Sequence, residues 1–267
     1  MSKSKQVKMT LPEYVKKHNV EIICTSMKNE KKRRAQFVKV MKNLGLKDHY
    51  KFMDATNRDV KNWAKALKEV FGHSARRYKD YVNYLVPKFH LAATGRITDP
   101  VVKSKRGVIG DSLTKARALH EAVRDNKIIM ITEDDMCISK TYKDADFSKL
   151  NKVNWDLMYL GHCFTDYNKQ KYKLDGVHKI AHLQGTLCCH AVMIKPETAK
   201  ILLKHWLPMR ESDDQIKYIG RGTKMNVYGL QPPIFYQDIK FESALRDRTE
   251  LEKERDSGKF GDCGIKP

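Results

Sequence analysis

Three adjacent carboxylates, Glu133, Asp134 and Asp135, close a short apolar run that reads Ile128-Ile129-Met130-Ile131-Thr132. A run of that length, rich in Ile, predicts a strand buried on both faces rather than an amphipathic helix. The loops outside the carboxyl ends of strands are where α/β sheets build their sites. Three acids side by side repel one another unless positive charge sits beside them. A divalent ion holding a diphosphate would supply that charge, since carboxylate oxygens are the hard ligands that Mg²⁺ and Mn²⁺ prefer. Taken alone, the triplet reads more readily as a solvated acidic turn, because short motif matches often misfire. The rest of the chain shifts that balance.

A second cluster invites a zinc reading: Cys188-Cys189-His190, with His162-Cys163 and with His178 and His182 upstream. No Cys-x-x-Cys pair supports it, and the six cysteines have no disulfide-framework spacing. They read as core cysteines in a reducing compartment. No apolar run approaches the ~18 residues of a membrane-spanning helix. The first 20 residues are Lys-rich and lack the apolar stretch of a secretory signal, so a cytoplasmic location is expected.

Composition bounds the rest. With 41% hydrophobic and 31% charged residues, the chain has the balance of a soluble globular protein. At 267 residues a single domain is the simplest description. The formal charge of +20 attracts nucleic acid, anionic membrane surfaces or phosphorylated molecules and says nothing about fold. Much of the excess lies in the first 106 residues, where solvated side chains and a functional basic face are equally good readings.

The elements that must position the acids follow from periodicity. Residues 20–25 predict a first strand, with Ser26 as a candidate helix cap. Phe37, Val40, Met41 and Leu44 recur at helical spacing, and Gly45 marks the helix end. Tyr50 to Ala55 predicts a second strand, giving β-α-β in the order of a parallel sheet. Residues 1–19 form an N-terminal extension, and 59–106 read as a basic helical insertion ending in a loop over 92–106. Gly107 to Arg124 starts with two glycines and becomes a helix that leads into the 128–132 strand. Trp155 to Leu160 and His190 to Ile194 predict further strands, and Pro196 to Leu207 a helix. Residues 244–267 read as a charged, loosely held tail.

In this order the segments resemble glycosyltransferase family 25, which includes lipopolysaccharide glycosyltransferases and collagen hydroxylysine galactosyltransferases. Ile22 to Leu46 matches its opening strand and Arg-containing helix, with Arg33 at the family arginine and Leu44-Gly45-Leu46 at the end. Phe52-Met53-Asp54-Ala55 is similar to the aromatic-x-Ala segment that follows. Gly107 to Lys115 resembles Gly-x-x-Gly-Cys-x-x-Ser-His, with Asp111, Thr114 and Lys115 where the family has Cys, Ser and His. Glu133-Asp134-Asp135 matches the family's acidic triplet, and Trp155 to Gly161 its Trp-Asp-x-x-x-Leu-Gly. Gly185 to Cys189 is similar to Gly-Thr-x-x-Tyr, with Cys189 at the tyrosine. Glu211 to Asp214 is similar to a later Pro-x-Asp segment. The resemblance covers residues 20–245.

The resemblance implies an α/β fold of the GT-A type: a nucleotide-sugar-binding, mostly parallel central sheet flanked by helices. It implies an inverting transfer of a sugar, galactose or glucose by default, from a UDP-sugar to an acceptor hydroxyl. Mn²⁺ or Mg²⁺ would be held by Asp135 and Glu133, with Asp134 as a sugar contact or further ligand. Alternation along an extended segment would put Glu133 and Asp135 on one side and Asp134 on the other. An inverting displacement needs a general base, for which Asp214, with Asp213 as alternate, is the candidate; helix N-terminal acids favoured by the dipole are the plainer reading. Thr25, Ser26, Arg33 and Asp54 would contact the nucleotide and diphosphate, joined by Thr114. Gln184, Gly185 and Thr186 would line the donor-sugar pocket. Trp155 and Tyr159 read as core.

The expected partners are a UDP-sugar and a glycan, glycolipid or protein acceptor. An anionic acceptor and peripheral membrane contact are both open, and no specific nucleic acid is expected. Two alternatives stand beside the enzyme: a basic nucleic-acid-binding protein, motivated by the charge, and a family member without catalysis that acts as a scaffold. The departures at Asp111, Lys115 and Cys189 motivate the second. Retention of the acids argues against it, because such a cluster is costly without a cation.

Overall fold

A computed structural model describes residues 8–56, 63–72, 100–163, 171–174, 177–183, 187–207 and 210–238. The N-terminal extension carries a short docked helix, Leu11–Lys17 (α1), whose Leu11, Tyr14 and Val15 are buried. Thr10 and Glu13 cap it reciprocally: Thr10 N donates to Glu13 Oε2 at 2.7 Å, and Glu13 N donates to Thr10 Oγ1. The strand Glu21–Ser26 (β1) follows, then the helix Lys31–Asn43 (α2), which buries Phe37, Val40 and Met41. The chain leaves α2 through Gly45 at φ +70°, the left-handed conformation that glycine adopts at little cost. Strand Tyr50–Asp54 (β2) completes the expected β-α-β, parallel to β1. Ser26 is not a helix cap. Glu30 takes that position, without a side-chain cap bond, because more residues separate the strand from the helix than periodicity indicates.

Helix Trp63–Phe71 (α3) packs on a long helix, Pro100–Asp125 (α4), through Leu67, Val70, Ile109 and Leu113. The described part of the expected insertion therefore joins the main core. Residues 100–106 are helical rather than loop, and Gly107 and Gly110 lie inside α4 rather than at its start. Gly110 is there for close approach: a Cβ on it would run into the carbonyl oxygen of Thr56. The other residues of the 59–106 segment, and the 244–267 tail, lie outside the described residues.

Next come strands Ile129–Glu133 (β3) and Met136–Ile138 (β4), two 3₁₀ turns, then Leu157–Cys163 (β5), Lys171–Leu174 (β6), Lys179–His182 (β7) and Leu187–Ile194 (β8). Helices Pro196–His205 (α5) and Ser212–Gly222 (α6) precede strands Val227–Gln231 (β9) and Phe235–Gln237 (β10). The sheet runs β2-β1-β3-β8-β5-β9-β7-β6, with β10 joining β4 and β5 off this path. It is mixed and strongly curled. Only β2-β1-β3 and the β5–β9 pair run parallel along that path; β8 is antiparallel to both β3 and β5, and β7 to β9. The expectation of a mostly parallel sheet is corrected. An Ile-rich run reports burial on both faces, and either strand direction satisfies that once helices cover both sides.

Alternate residues of the central strands feed two cores. Ile22, Cys24, Met130 and Met193 pack with Phe37, Val40 and Met41 of α2. Ile23, Ile129, Ile131 and Val192 pack on the other face with Leu113, Leu119, Leu202 and Trp206. Trp155 and Tyr159 are buried, as expected of core. Among the described residues no helix is long and apolar enough to cross a membrane. Cys24 is buried and free, but Cys137 and Cys188 are each disulfide-bonded. The expectation of reduced cysteines fails at those two, because pairing depends on which Cβ atoms the fold brings together, not on spacing along the chain.

Candidate functional site

The three parallel strands end together. Ser26 pairs with Asp54, and Thr25 pairs with Glu133, so the polar ends of β1, β2 and β3 form one edge. After Glu133 the chain turns at Asp134 and Asp135 into β4, which pairs with β10 instead of continuing the central sheet. The turn breaks the two-residue alternation, and the expected grouping of Glu133 with Asp135 is corrected. Asp134 and Asp135 share one cation, and Glu133 takes another.

The shared cation is Arg33, in the first turn of α2. Its Nη2 lies 2.6 Å from Asp134 Oδ1 and 2.9 Å from Asp135 Oδ2. Ser26 Oγ donates to Asp134 Oδ2 at 2.5 Å. Burial pushes the Asp134 carboxyl up to about 6, helped by its acidic neighbours and opposed by Arg33 and Ser26. Burial works against the charge of Arg33, but Asp135 and Asp134 more than restore it, so the guanidinium stays protonated. Arg34 braces the same edge: Nε donates to Ser26 Oγ at 3.0 Å, and Nη2 pairs with Asp54 at 2.5 Å. Asp135 also accepts from Gln237 Nε2 at 2.9 Å, while Asp238 N donates to its carbonyl at 2.6 Å. Asp135 Oδ1 is buried and has no hydrogen-bond partner among the described residues.

Glu133 faces α4. Lys115 Nζ is 2.8 Å from Glu133 Oε1 and 3.2 Å from Asp111 Oδ1, and it donates to Ser212 Oγ at 3.0 Å. Ser212 Oγ donates in turn to Asp111 Oδ2 at 2.5 Å. His190 Nδ1 stands 3.6 Å from Glu133 Oε2. Burial would raise the Glu133 carboxyl, but Lys115 and His190 outweigh it and hold the group below its ordinary range. At Asp111 burial wins over Lys115, and the carboxyl is raised.

The network docks the start of α6 against α4 and the end of β3. There Asp213 Oδ2 accepts from Cys188 N at 3.1 Å and Oδ1 from Asp214 N at 2.8 Å. Asp214 is half-exposed, and its distance to Lys217 is 4.0 Å. The two threonines are spent on structure. Thr25 Oγ1 donates to the Thr132 carbonyl across the sheet, and Thr114 Oγ1 donates to the Gly110 carbonyl and accepts from Thr56 N. Gln184, Gly185 and Thr186 lie outside the described residues.

Among the described residues, no group of three or more His, Cys, Asp or Glu side chains is arranged to hold a metal ion. The fit is narrower. One buried carboxylate oxygen, Asp135 Oδ1, is open, which suits an ion of the Mg²⁺ or Mn²⁺ kind that takes one or two carboxylates and completes its shell with phosphates and water. At Glu133, Oε1 is taken by Lys115, while Oε2 faces His190 Nδ1 at 3.6 Å, beyond hydrogen-bond reach.

The sequence reading missed Lys115, Asp111, Ser212, His190 and Gln237 as members of this cluster. Asp111 and Lys115 carried a signal, an opposite-charge pair four residues apart on a predicted helix. Gln237 and His190 carried none, because strand pairing alone brings them to the edge. The sequence matches no protein-family model and no curated protein.

Proposed function

We propose that the chain is an inverting, metal-dependent glycosyltransferase with a GT-A-like fold. It moves a hexosyl group, galactose or glucose, from a UDP-sugar to an acceptor hydroxyl on a glycan, lipid-linked glycan or protein. The observation that carries this reading is the convergence of Ser26, Arg33, Asp54, Asp134 and Asp135 on the carboxyl edge of β1–β3, with Asp135 Oδ1 open. Asp135 is the residue that would hold the ion, with Asp134 beside it. A bound divalent ion supplies Lewis-acid stabilisation of the departing diphosphate. Arg33 fixes both aspartates through one guanidinium, whose planar fork suits two carboxylates. Ser26 and Asp54, braced by Arg34, face the nucleotide. Asp214 is the better placed general base, since Asp213 is tied to the Cys188 amide. The basic field favours an anionic acceptor or surface.

The test is thermal unfolding with UDP alone, Mn²⁺ alone and both, followed by a screen of nucleotide-sugars for Mn²⁺-dependent hydrolysis. Ligand that binds only the folded state raises its stability by mass action. A joint UDP–Mn²⁺ shift with turnover of one donor is expected; no shift and no turnover with any nucleotide-sugar would overturn the reading.

A specific observation favours a second reading, a family member that binds without catalysis. The positive charge the acidic triplet requires comes from Arg33 and Lys115, so the cluster stands without an ion. Nucleotide binding without turnover of any donor would select it.

A further inference from the structure

The far end of α6 lines a cavity separate from the acidic edge. The start of α6 meets Glu133 through Ser212 and Lys115, whereas the cavity opens where Val227 of β9 pairs with Leu157 of β5, at the opposite end of the sheet. Along α6 the lining begins at Ile216, four residues or about 6 Å beyond Ser212, and continues to Arg221. The cavity encloses about 470 Å³. Arg221 and Lys224 line it, together with His182 and with Lys217, whose ammonium is 4.0 Å from Asp214; Leu183 and Met225 supply an apolar floor, and among the described residues no Asp or Glu lines it.

Lys224 stands where a glycine is usual. The end of α6 closes with Lys224 N donating to the Arg221 carbonyl and Met225 N to the Gly220 carbonyl, and Lys224 takes φ +57°. A left-handed residue after a helix is most often glycine, because a Cβ is strained there. Cations are favoured at a helix C-terminus by the dipole, but that alone does not bring Arg221 and Lys224 to one concavity.

We propose that this cavity is a binding site for a phosphorylated small molecule, with the phosphate held by Arg221 and Lys224 and an apolar or ring-shaped body resting on Leu183 and Met225. Multiply charged phosphate suits a pair of cations, and charge-assisted hydrogen bonds to it are the strong ones.

The experiment is calorimetric titration of the full chain at 0.15 M salt with phenyl phosphate, inorganic phosphate and benzyl alcohol. Phenyl phosphate is expected to bind more tightly than either fragment. Lys224→Gly removes a charge while relieving the left-handed strain, so its melting temperature should match or exceed wild type while phenyl phosphate affinity falls about tenfold, the size of one charge-assisted contact. Arg221→Gln should weaken binding comparably. Lys39→Gln, on the exposed face of α2, should leave it unchanged. Undiminished binding in both cavity variants overturns the proposal, as does an equal loss in Lys39→Gln, which would assign the affinity to the general charge. Neither result touches UDP–Mn²⁺ binding, so the two proposals fail separately.

Discussion

Lys115 Nζ, carried on the inner face of α4, lies 2.8 Å from Oε1 of Glu133, the last residue of β3. The lysine is almost fully buried, and it ties three elements together, since the same nitrogen reaches Asp111 one helical turn back and Ser212 at the start of α6. A buried cation between two carboxylates resolves half of the repulsion in the acidic triplet; Arg33 resolves the other half.

Removing that cation leaves Glu133 and Asp111 uncompensated. Lys115→Met is expected to cost about 3–5 kcal/mol in urea unfolding, the range for breaking a buried ion pair. Adding Glu133→Gln should recover part of the loss, because the stranded charge goes with it. A double variant no more stable than the single one would show that Lys115 acts through packing alone.

Asp135→Asn should abolish Mn²⁺-dependent turnover of the donor while the protein remains folded, since Asn still accepts from Gln237 through its carbonyl oxygen. The measurement is UDP release with and without Mn²⁺, beside a melting curve. Wild-type turnover in the variant would remove Asp135 from the reaction.

Asp214 acts on the acceptor, so its loss should spare donor binding. Asp214→Asn is expected to slow sugar transfer by about 10²–10⁴, the usual contribution of a general base, with the UDP–Mn²⁺ thermal shift retained. Loss of that shift would place Asp214 at the donor instead.

His162 makes stability pH-dependent. Burial pulls its imidazole down to about 4 from 6.5, opposed by its bond to the Leu230 carbonyl. The unfolded chain therefore binds more protons between these values, and stability falls as pH drops from 6.5 towards 4. The contribution is roughly 3 kcal/mol, from about 1.4 kcal/mol for each tenfold change in proton affinity. His162→Gln, which keeps a donor for Leu230, should flatten urea-midpoint loss over that window; an unchanged slope would assign it to other groups.

Gly110→Ala tests the seat of α4 against the loop after β2. The added Cβ would meet the Thr56 carbonyl oxygen, a backbone atom that moves only if the loop does. A loss of about 1–3 kcal/mol is expected, the cost of overpacking. A neutral substitution would show that the loop yields freely.

The sequence by itself determined the local elements. The 3.6-residue spacing of Phe37, Val40 and Met41, the glycine at 45, and the Ile-rich run before Glu133 report burial and helix ends through neighbours a few residues away. That is why β1, α2, β2 and β3 were legible with their carboxyl ends in common. Strand direction was not, because Leu157–Cys163 and Leu187–Ile194 satisfy their apolar faces equally well in either orientation. Nor were the partners of the acids. Which cation meets a carboxylate depends on residues 18, 101 or 102 positions apart arriving within 3 Å, as Lys115 and Arg33 do, and on a turn at Asp134 and Asp135 that cancels strand alternation. From the residues alone the triplet reads more readily as a solvated acidic turn, and it was the family resemblance that gave its charge to a metal ion. The tertiary structure supplied two protein cations and, among the described residues, left the buried Asp135 Oδ1 without a hydrogen bond.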